Sequence, residues 1–210
     1  MDIYSVSPQT LKRLPMYLRF LTSLSLTEYP NISATAIADA LGFYDVQVRK
    51  DLAAVSSGGR PKTGYVTEKL IKDIKKFLGY DKQKYAVLVG AGNLGQALLS
   101  YEGFKKYGLE ISAAFDINEK LWGQCIHGKK ILSVDDMETY CRNHSITFGI
   151  ISSPSEPAQD IADKLVGIGV KSILNFAPVN LKVPPDVMVE NVDIASSVVL
   201  LCYHITRNKN

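Results

Sequence analysis

The chain has 210 residues, 46% of them apolar and 21% charged, a composition normal for a soluble globular protein of one large domain or two small ones. No apolar run approaches the ~18 residues of a membrane span, and the opening stretch MDIYSVSPQTLKRLP lacks the basic-then-apolar order of a secretion signal. The net charge of +3 hides an asymmetry: residues 1–80 carry 11 Lys and Arg against 7 Asp and Glu, residues 81–210 carry 13 against 14, and 47–76 alone carry 8 against 3. Such a local basic excess suits a polyanionic partner, and equally a solvated helix face. Cys125, Cys141 and Cys202 are odd in number and far apart, which argues for a reducing, cytoplasmic setting and against a disulfide framework.

Residues 1–80 read as helices with sharp punctuation. Ser7-Pro8 is an N-cap followed by proline at the first helical position. Leu11, Leu14, Leu18 and Leu21 then recur at helical spacing, with Pro15 predicting a kink or a later start. Ser33 caps a second helix, Ala34 to Leu41, closed by Gly42, and Asp45 caps a third, Val46 to about Val55. The stretch SSGGRPKTG, Ser56 to Gly64, holds three glycines and a proline and predicts a loop. Thr67 caps a fourth helix, Glu68 to Leu78.

Two short helices joined by a tight turn and followed by a basic glycine-rich loop make a winged helix-turn-helix, spanning about 16–55 before its wing. In such a pair the second helix offers its N-terminal side chains to base edges in the major groove. Gln47, Arg49 and Lys50 cluster there, while Val48, Leu52 and Val55 form the inward face. Arg49 or Lys50 suits guanine and Gln47 suits adenine. Arg60 and Lys62 in the wing suit phosphate or the minor groove, and Ser33 at the head of the first helix joins the DNA-facing set. A helical bundle used for dimerisation is the other reading of this segment.

From Tyr85 the pattern becomes strand–helix alternation, which implies a doubly wound parallel sheet. Strands are predicted at Tyr85–Val89, Ile111–Phe115, Ile146–Ile151, Ser172–Leu174 and Val187–Val192, with helices at Leu94–Tyr107, Val134–Cys141 and Pro157–Ile168. The first turn carries Gly90-Ala91-Gly92-Asn93-Leu94-Gly95, the spacing G-x-G-x-x-G between a strand and a helix. Gly90 permits the tight turn, Gly92 lets a pyrophosphate approach, and Gly95 lets helix and strand pack closely. Asp116 ends the second strand 21 residues past Gly95. A carboxylate there holds ribose hydroxyls and repels a 2′-phosphate, so NADH and NAD+ are expected over their phosphorylated counterparts. A helix N-cap before INEKL is the alternative for Asp116. Loops at later strand ends, SSPSEP with Ser153 and Pro154 and NFAP with Asn175, Phe176 and Pro178, complete the expected cofactor set.

Nothing in the sequence supplies a catalytic acid. Tyr101 and Lys105 match a Tyr-x-x-x-Lys spacing, but on the first helix after the glycine loop, where any helical pair matches by accident. His127, His144 and His204 are scattered, no His/Cys/Asp cluster has metal-ligand spacing, and no substrate domain fits in the remaining chain. The segment DIASSVVLLCYHI, Asp193 to Ile205, is apolar almost all round, which demands burial against another subunit or against its own sheet. The predicted organisation is a winged helix at 1–80, a Rossmann domain at 81–192 and a C-terminal helix at 193–210.

Together these motifs resemble the Rex family of redox-sensing transcriptional repressors. The likeness is carried by KRLPMYLRFL (Lys12–Leu21), VQVRKDLA (Val46–Ala53), GAGNLGQALL (Gly90–Leu99), AFDIN (Ala114–Asn118), ILNFAP (Ile173–Pro178) and NVDIA (Asn191–Ala195). The resemblance implies a homodimer that exchanges its C-terminal helix, binds an inverted-repeat DNA operator when NADH is scarce and releases it when NADH rises. It implies a coupling network of Arg13, Tyr101 and Asp193, and gives Phe104 the role of an aromatic reaching into the partner's nicotinamide pocket. The wing AAVSSGGRPKTGY departs from the Tyr-Phe-Gly that many members carry there. Two other readings remain open: a small NAD-dependent oxidoreductase with an accessory N-terminal domain, and a CoA-binding module.

Overall fold

A computed structural model describes residues 6–207, apart from the side chains of Ser197 and Leu200. The chain divides into two compact units, residues 1–82 and 83–210.

In the first unit, α1 (Pro8–Ser23) starts as expected, with the Ser7 side chain accepting from the Thr10 amide. It neither starts late nor stops at Pro15. Leu14, Tyr17, Leu18 and Leu21 are buried along one face, and that packing offsets the one hydrogen bond a proline removes. The two-residue strand β1 (Asn31–Ile32) precedes α2 (Ala34–Leu41), which Ser33 caps through the Ala36 amide. α3 (Asp45–Val55) follows after a three-residue turn. β2 (Tyr65–Val66) pairs antiparallel with β1 and leads into α4 (Thr67–Phe77). Two predicted caps are corrected. Tyr44, not Asp45, is the residue before α3, and Asp45 sits in its first turn paired with Arg49. Val66 precedes α4, and the Thr67 hydroxyl donates instead to the Tyr29 carbonyl at 2.6 Å, tying the helix to the chain entering β1. Ile37, Val48, Leu52, Leu70 and Ile74 complete the core of this unit.

The second unit is built on a seven-stranded sheet. In chain order come β3 (Lys84–Val89), α5 (Asn93–Ser100), β4 (Leu109–Asp116), β5 (Cys125–Ile126), β6 (Lys129–Ser133), α6 (Met137–Asn143), β7 (Phe148–Ile151), α7 (Ser155–Ile168), β8 (Ser172–Asn175), β9 (Met188–Asn191) and α8 (Ile194–Arg207). The spatial order is β5-β6-β4-β3-β7-β8-β9, parallel throughout except for the β5–β6 pair. Strand order therefore reverses between β3 and β7, and that switch point is where doubly wound sheets bind ligands. The buried runs Ala86–Val89, Ala113–Phe115 and Ile150–Ile151 split the core into two layers, one on each face of the sheet.

Sequence periodicity missed β5, which is two residues long, and β6, which opens on two lysines. The helix expected over Leu94–Tyr107 stops at Ser100; Tyr101 is extended, and Glu102–Tyr107 forms a separate 3-10 turn. The Tyr101 ring lies over Gly103, where an added Cβ would come within 2.2 Å of it. Asp116 caps no helix: Asn118 is the residue that caps the short turn Glu119–Leu121.

Candidate nucleotide cleft and nucleic-acid interface

Parallel strands aim their carboxyl ends at one rim, so the loops after β3, β4 and β7 converge there. A cavity of about 400 Å³ opens at this point, lined by Gly90, Gly92, Asp116, Ile117, Val134, Ser153, Pro154 and the α7 side chains Pro157, Asp160, Ile161 and Lys164, among others. Its size falls in the range of small-molecule sites. Gly90 adopts φ +102°, and a Cβ on it would come within 2.8 Å of the Ser152 backbone. Gly95 is tighter: its Cβ would stand 2.0 Å from the Gly90 carbonyl oxygen. Over Gly92, by contrast, a Cβ would meet nothing within 4 Å, so the surface of the loop is open. Gly92 is the residue before α5 and no side chain caps that helix, which leaves amides at its positive end for an anion.

Asp116 faces the same loop. One carboxylate oxygen accepts from the Ala91 amide at 2.6 Å and the other from the Asn118 amide at 2.8 Å. The Ser152 hydroxyl donates to the Gly90 carbonyl at 2.8 Å, fastening the β7 loop to the glycine turn. An open glycine cradle, uncapped helix amides and a carboxylate at the second strand's end fit the phosphates and ribose of a dinucleotide. Sequence reasoning missed the α7 contribution. Its only signal was the helical spacing of Pro157, Ile161 and Lys164, which looks like any amphipathic face.

Other expected cofactor residues do not line this cavity. Asn175 is fully buried; its amide nitrogen donates to the Val179 carbonyl and to Asn191 Oδ1, both at 2.8 Å, and its oxygen accepts from the Ala177 amide at 3.0 Å. Its side chain braces the loop that runs through Pro178. Phe176 is partly buried against the core below the β3–β4 layer. Asn93 and Leu94 open α5 and are exposed. Phe104 packs on the same core layer and makes an edge contact with Tyr101, ring centroids 5.0 Å apart.

In the first unit, a second cavity lies between the start of α2, the face of α3 and the wing. Ser33, Arg49, Arg60 and Lys62 line it with Thr35, Pro61 and Tyr65, and no carboxylate does. The wing is a tight turn: Arg60 and Gly64 exchange both backbone hydrogen bonds at 2.9 Å, and Lys62 at its tip is left-handed, φ 66°. A non-glycine residue in that region carries strain, and such strain collects at functional loops. Arg49 and Lys50 are exposed on α3, and Arg49 reaches both oxygens of Asp45 at 2.9 Å. Gln47 is half-buried and lies outside the basin.

The resemblance assigned a coupling role to Arg13, Tyr101 and Asp193. Arg13 is engaged within the first unit, forming a fork onto the buried carboxylate of Asp51 in α3. Thr10 and Tyr17 also donate to Asp51, each at 2.8 Å. Burial alone would raise the Asp51 carboxyl, but these donors outweigh it and hold the group below the usual carboxylate range. The Tyr17 phenol is pushed well above its ordinary value, first by burial and then by the Asp51 charge. Tyr101 is 58% exposed. Asp193 caps α8, accepting from the Ser196 amide at 3.0 Å, and the Ser196 contacts hold its carboxyl low. Among the described residues no group of three His, Cys, Asp or Glu side chains is placed to hold a metal, and no helix is long and apolar enough to cross a membrane.

Comparison with known proteins adds independent findings. A family model described as a CoA binding domain matches residues 81–179, and one described as a putative DNA-binding protein N-terminus matches 5–53. The redox-sensing transcriptional repressor Rex of Clostridium beijerinckii is 40% identical over 206 residues, covering 98% of both chains. That of Clostridium botulinum (strain Alaska E43) is 38% identical over 205 residues, again covering 98% of both. Among solved structures, RSP in complex with β-NAD+ and operator DNA aligns at TM-score 0.92 and 36% identity, over 97% of this chain and 94% of that one. RSP in complex with β-NADH aligns at TM-score 0.86, over 98% and 96%.

Proposed function

The chain belongs to the Rex family of redox-sensing transcriptional repressors, and from that premise we propose that it binds an inverted-repeat operator through α3 and the wing and lets go when NADH fills the cleft behind Gly92 and Asp116. The observation that carries the DNA half is the basin of Ser33, Arg49, Arg60 and Lys62, where three cations from one helix and the wing converge on a cavity that no carboxylate lines, although Arg49 also pairs with Asp45 at its edge. Such a concentration is costly unless a polyanion neutralises it. The cofactor half is supported by the open cradle over Gly92 and the Asp116 carboxylate. The cofactor, when bound, brings a nicotinamide that is cationic when oxidised and neutral when reduced. In this chain Asp116 would hold the ribose, the α5 amides the phosphates, and Ser153 and Pro154 the wall of the cleft.

Relatives of this chain are repressors, so the Rossmann unit serves as a sensor and not as half of a dehydrogenase. The CoA-domain match reflects the same fold. We further infer a cytoplasmic homodimer joined and exchanged through α8. Ile194, Val198, Val199, Leu201, Tyr203 and Ile205 of that helix are each at least half exposed in the single chain, so its own sheet does not cover it. Two recognition helices would then meet half-sites one helical turn apart or a multiple of it. Release requires only that NADH bind the DNA-free arrangement better than the DNA-bound one. A hundredfold difference is about 2.7 kcal/mol, within the ordinary range of allosteric coupling.

The test is fluorescence anisotropy with a labelled inverted repeat in the presence of NADH, NAD+ or NADPH. NADH is expected to release the DNA at concentrations where NADPH does not. DNA affinity that ignores NADH would overturn the sensor reading, and consumption of NADH alongside a metabolite would restore the oxidoreductase reading.

A further inference from the structure

The outward face of α3 is not uniformly polar. Val48, Asp51 and Leu52 are buried, and the side opposite them carries Val46, Arg49, Lys50 and Ala53 at i, i+3, i+4 and i+7, all exposed. Val46 is 64% exposed in the first turn of the helix. A β-branched aliphatic residue there gains nothing from folding: it is a mediocre helix former, and its methyl groups stay wet. On a merely solvated face a polar side chain would serve better.

We propose that Val46 is a specificity-determining residue that reads the 5-methyl group of a thymine in each operator half-site. The inference rests on the DNA-binding reading above and adds what that reading leaves open, namely which base the face prefers beside Arg49. Charge fixes the occupant as DNA: Arg49 and Lys50 share the face, and Arg60 and Lys62 stand at its edge. Chemistry fixes the base. The thymine methyl is the one apolar group that the major groove displays, and an aliphatic side chain is its complement. Three residues separate Val46 from Arg49, about 4.5 Å along the helix axis. That rise is near one base-pair step, so the thymine is expected next to, or one pair removed from, the position that Arg49 contacts. Ala53, two turns on, keeps the same face shallow and lets the groove wall approach.

The test uses the full-length dimer and an operator selected from randomised inverted repeats. Each thymine is replaced in turn by deoxyuridine, which removes the methyl and leaves pairing and the O4 acceptor intact. One position per half-site is expected to lose about fourfold in affinity on this change, the worth of burying one carbon, and roughly fifteenfold when both half-sites are changed. In Val46→Ala that position is expected to bind thymine and deoxyuridine alike, while NADH affinity stays as in the parent and thermal stability holds or rises slightly, since the side chain is exposed and alanine is the better helix former. Tight operator binding with no position sensitive to deoxyuridine would overturn the proposal and leave the repressor reading standing. Sensitivity that persists unchanged in Val46→Ala would also overturn it, because another residue then reads the methyl. Failure to select any DNA would instead sink the reading on which it rests.

Discussion

Arg13 and Asp51 form a forked ion pair inside the winged helix, Nε to one carboxylate oxygen at 2.7 Å and a terminal nitrogen to the other at 2.9 Å. One partner sits on α1 and the other on α3, so the pair fixes the recognition helix against the first helix of the fold. Both side chains are largely buried, at 14% and 5% exposure. Removing one partner therefore strands the other. Asp51→Ala is expected to destabilise the N-terminal unit on the order of 3 kcal/mol, read as the midpoint of a denaturant melt.

The same pair predicts a pH dependence. Asp51 has a depressed carboxyl, so its contribution is present above the unfolded carboxylate value, about 3.9, and is lost as the pH falls through the lower folded value. Tyr17 runs the other way. Its raised phenol favours the folded state until the pH passes about 10, after which the unfolded chain ionises first. Buried Cys141, pushed up to about 11, adds to that alkaline loss. Urea melts between pH 3 and 7 should show the gap between parent and Asp51→Asn narrowing as acid is added. A gap that stays constant would mean that the Asp51 carboxyl is no lower in the folded protein than in the unfolded chain.

Gly92 and Gly95 make opposite predictions although they share one motif. Gly95→Ala drives a Cβ to 2.0 Å from a backbone carbonyl and should cost about 1–3 kcal/mol of stability. Gly92→Ala meets no neighbour within 4 Å and has an ordinary extended backbone, so the fold should survive or gain slightly. Its methyl occupies the open cradle, however, and NADH binding should fall tenfold or more, on the order of 1.4 kcal/mol. Thermal melts and cofactor titrations of the two variants separate these effects.

Asp116 should govern the choice of coenzyme. Both of its oxygens accept from backbone amides, so an asparagine there can satisfy only one of them and also loses the charge. Asp116→Asn is expected to weaken NADH binding by roughly tenfold, the worth of one charge-assisted hydrogen bond. It should leave NADPH less disfavoured, because nothing repels the 2′-phosphate. Competition titrations with both coenzymes measure the change in preference.

Much of this was legible in the residues. Ser33 and Ser7 announced their helices because a hydroxyl before an apolar periodic run has a local task, and the structure gives both that task. The glycine loop and Asp116 were legible because dinucleotide sites need backbone proximity and a carboxylate at a fixed distance. Asp51 was hidden: it sits between Lys50 and Leu52 in a polar run, and only tertiary contact with α1 buries it. Pro157, Asp160 and Lys164 were hidden for the same reason, since α7 reaches the cleft from more than forty residues downstream of Asp116. The bracing role of Asn175 was hidden too, because a buried amide that braces a loop and one that meets a ligand look identical in sequence.

Lys62 predicts a trade between stability and binding. It holds a left-handed backbone at the wing tip, a conformation that costs a side-chain-bearing residue on the order of 1 kcal/mol. Lys62→Gly should relieve that strain and raise the melting temperature of the winged helix. It should also weaken operator binding and lower the slope of log affinity against log salt by about 1, the signature of one lost phosphate contact. An unchanged slope would place Lys62 away from the backbone.

The terminal helix predicts the assembly. In the isolated chain Val198 and Leu201 of α8 are 52% and 62% exposed, and they share one side of the helix three residues apart. A carboxylate introduced there meets water in a monomer but an apolar partner in a dimer, where burying it unpaired is prohibitive. Leu201→Asp should therefore yield a folded monomer by light scattering. The monomer keeps the cleft formed by its own Gly92 and Asp116, yet its grip on an inverted repeat should fall to that of a single half-site, at least a hundredfold weaker by loss of the linked second contact. A Leu201→Asp protein that remained dimeric would show that the subunits meet elsewhere and that α8 is covered in another way.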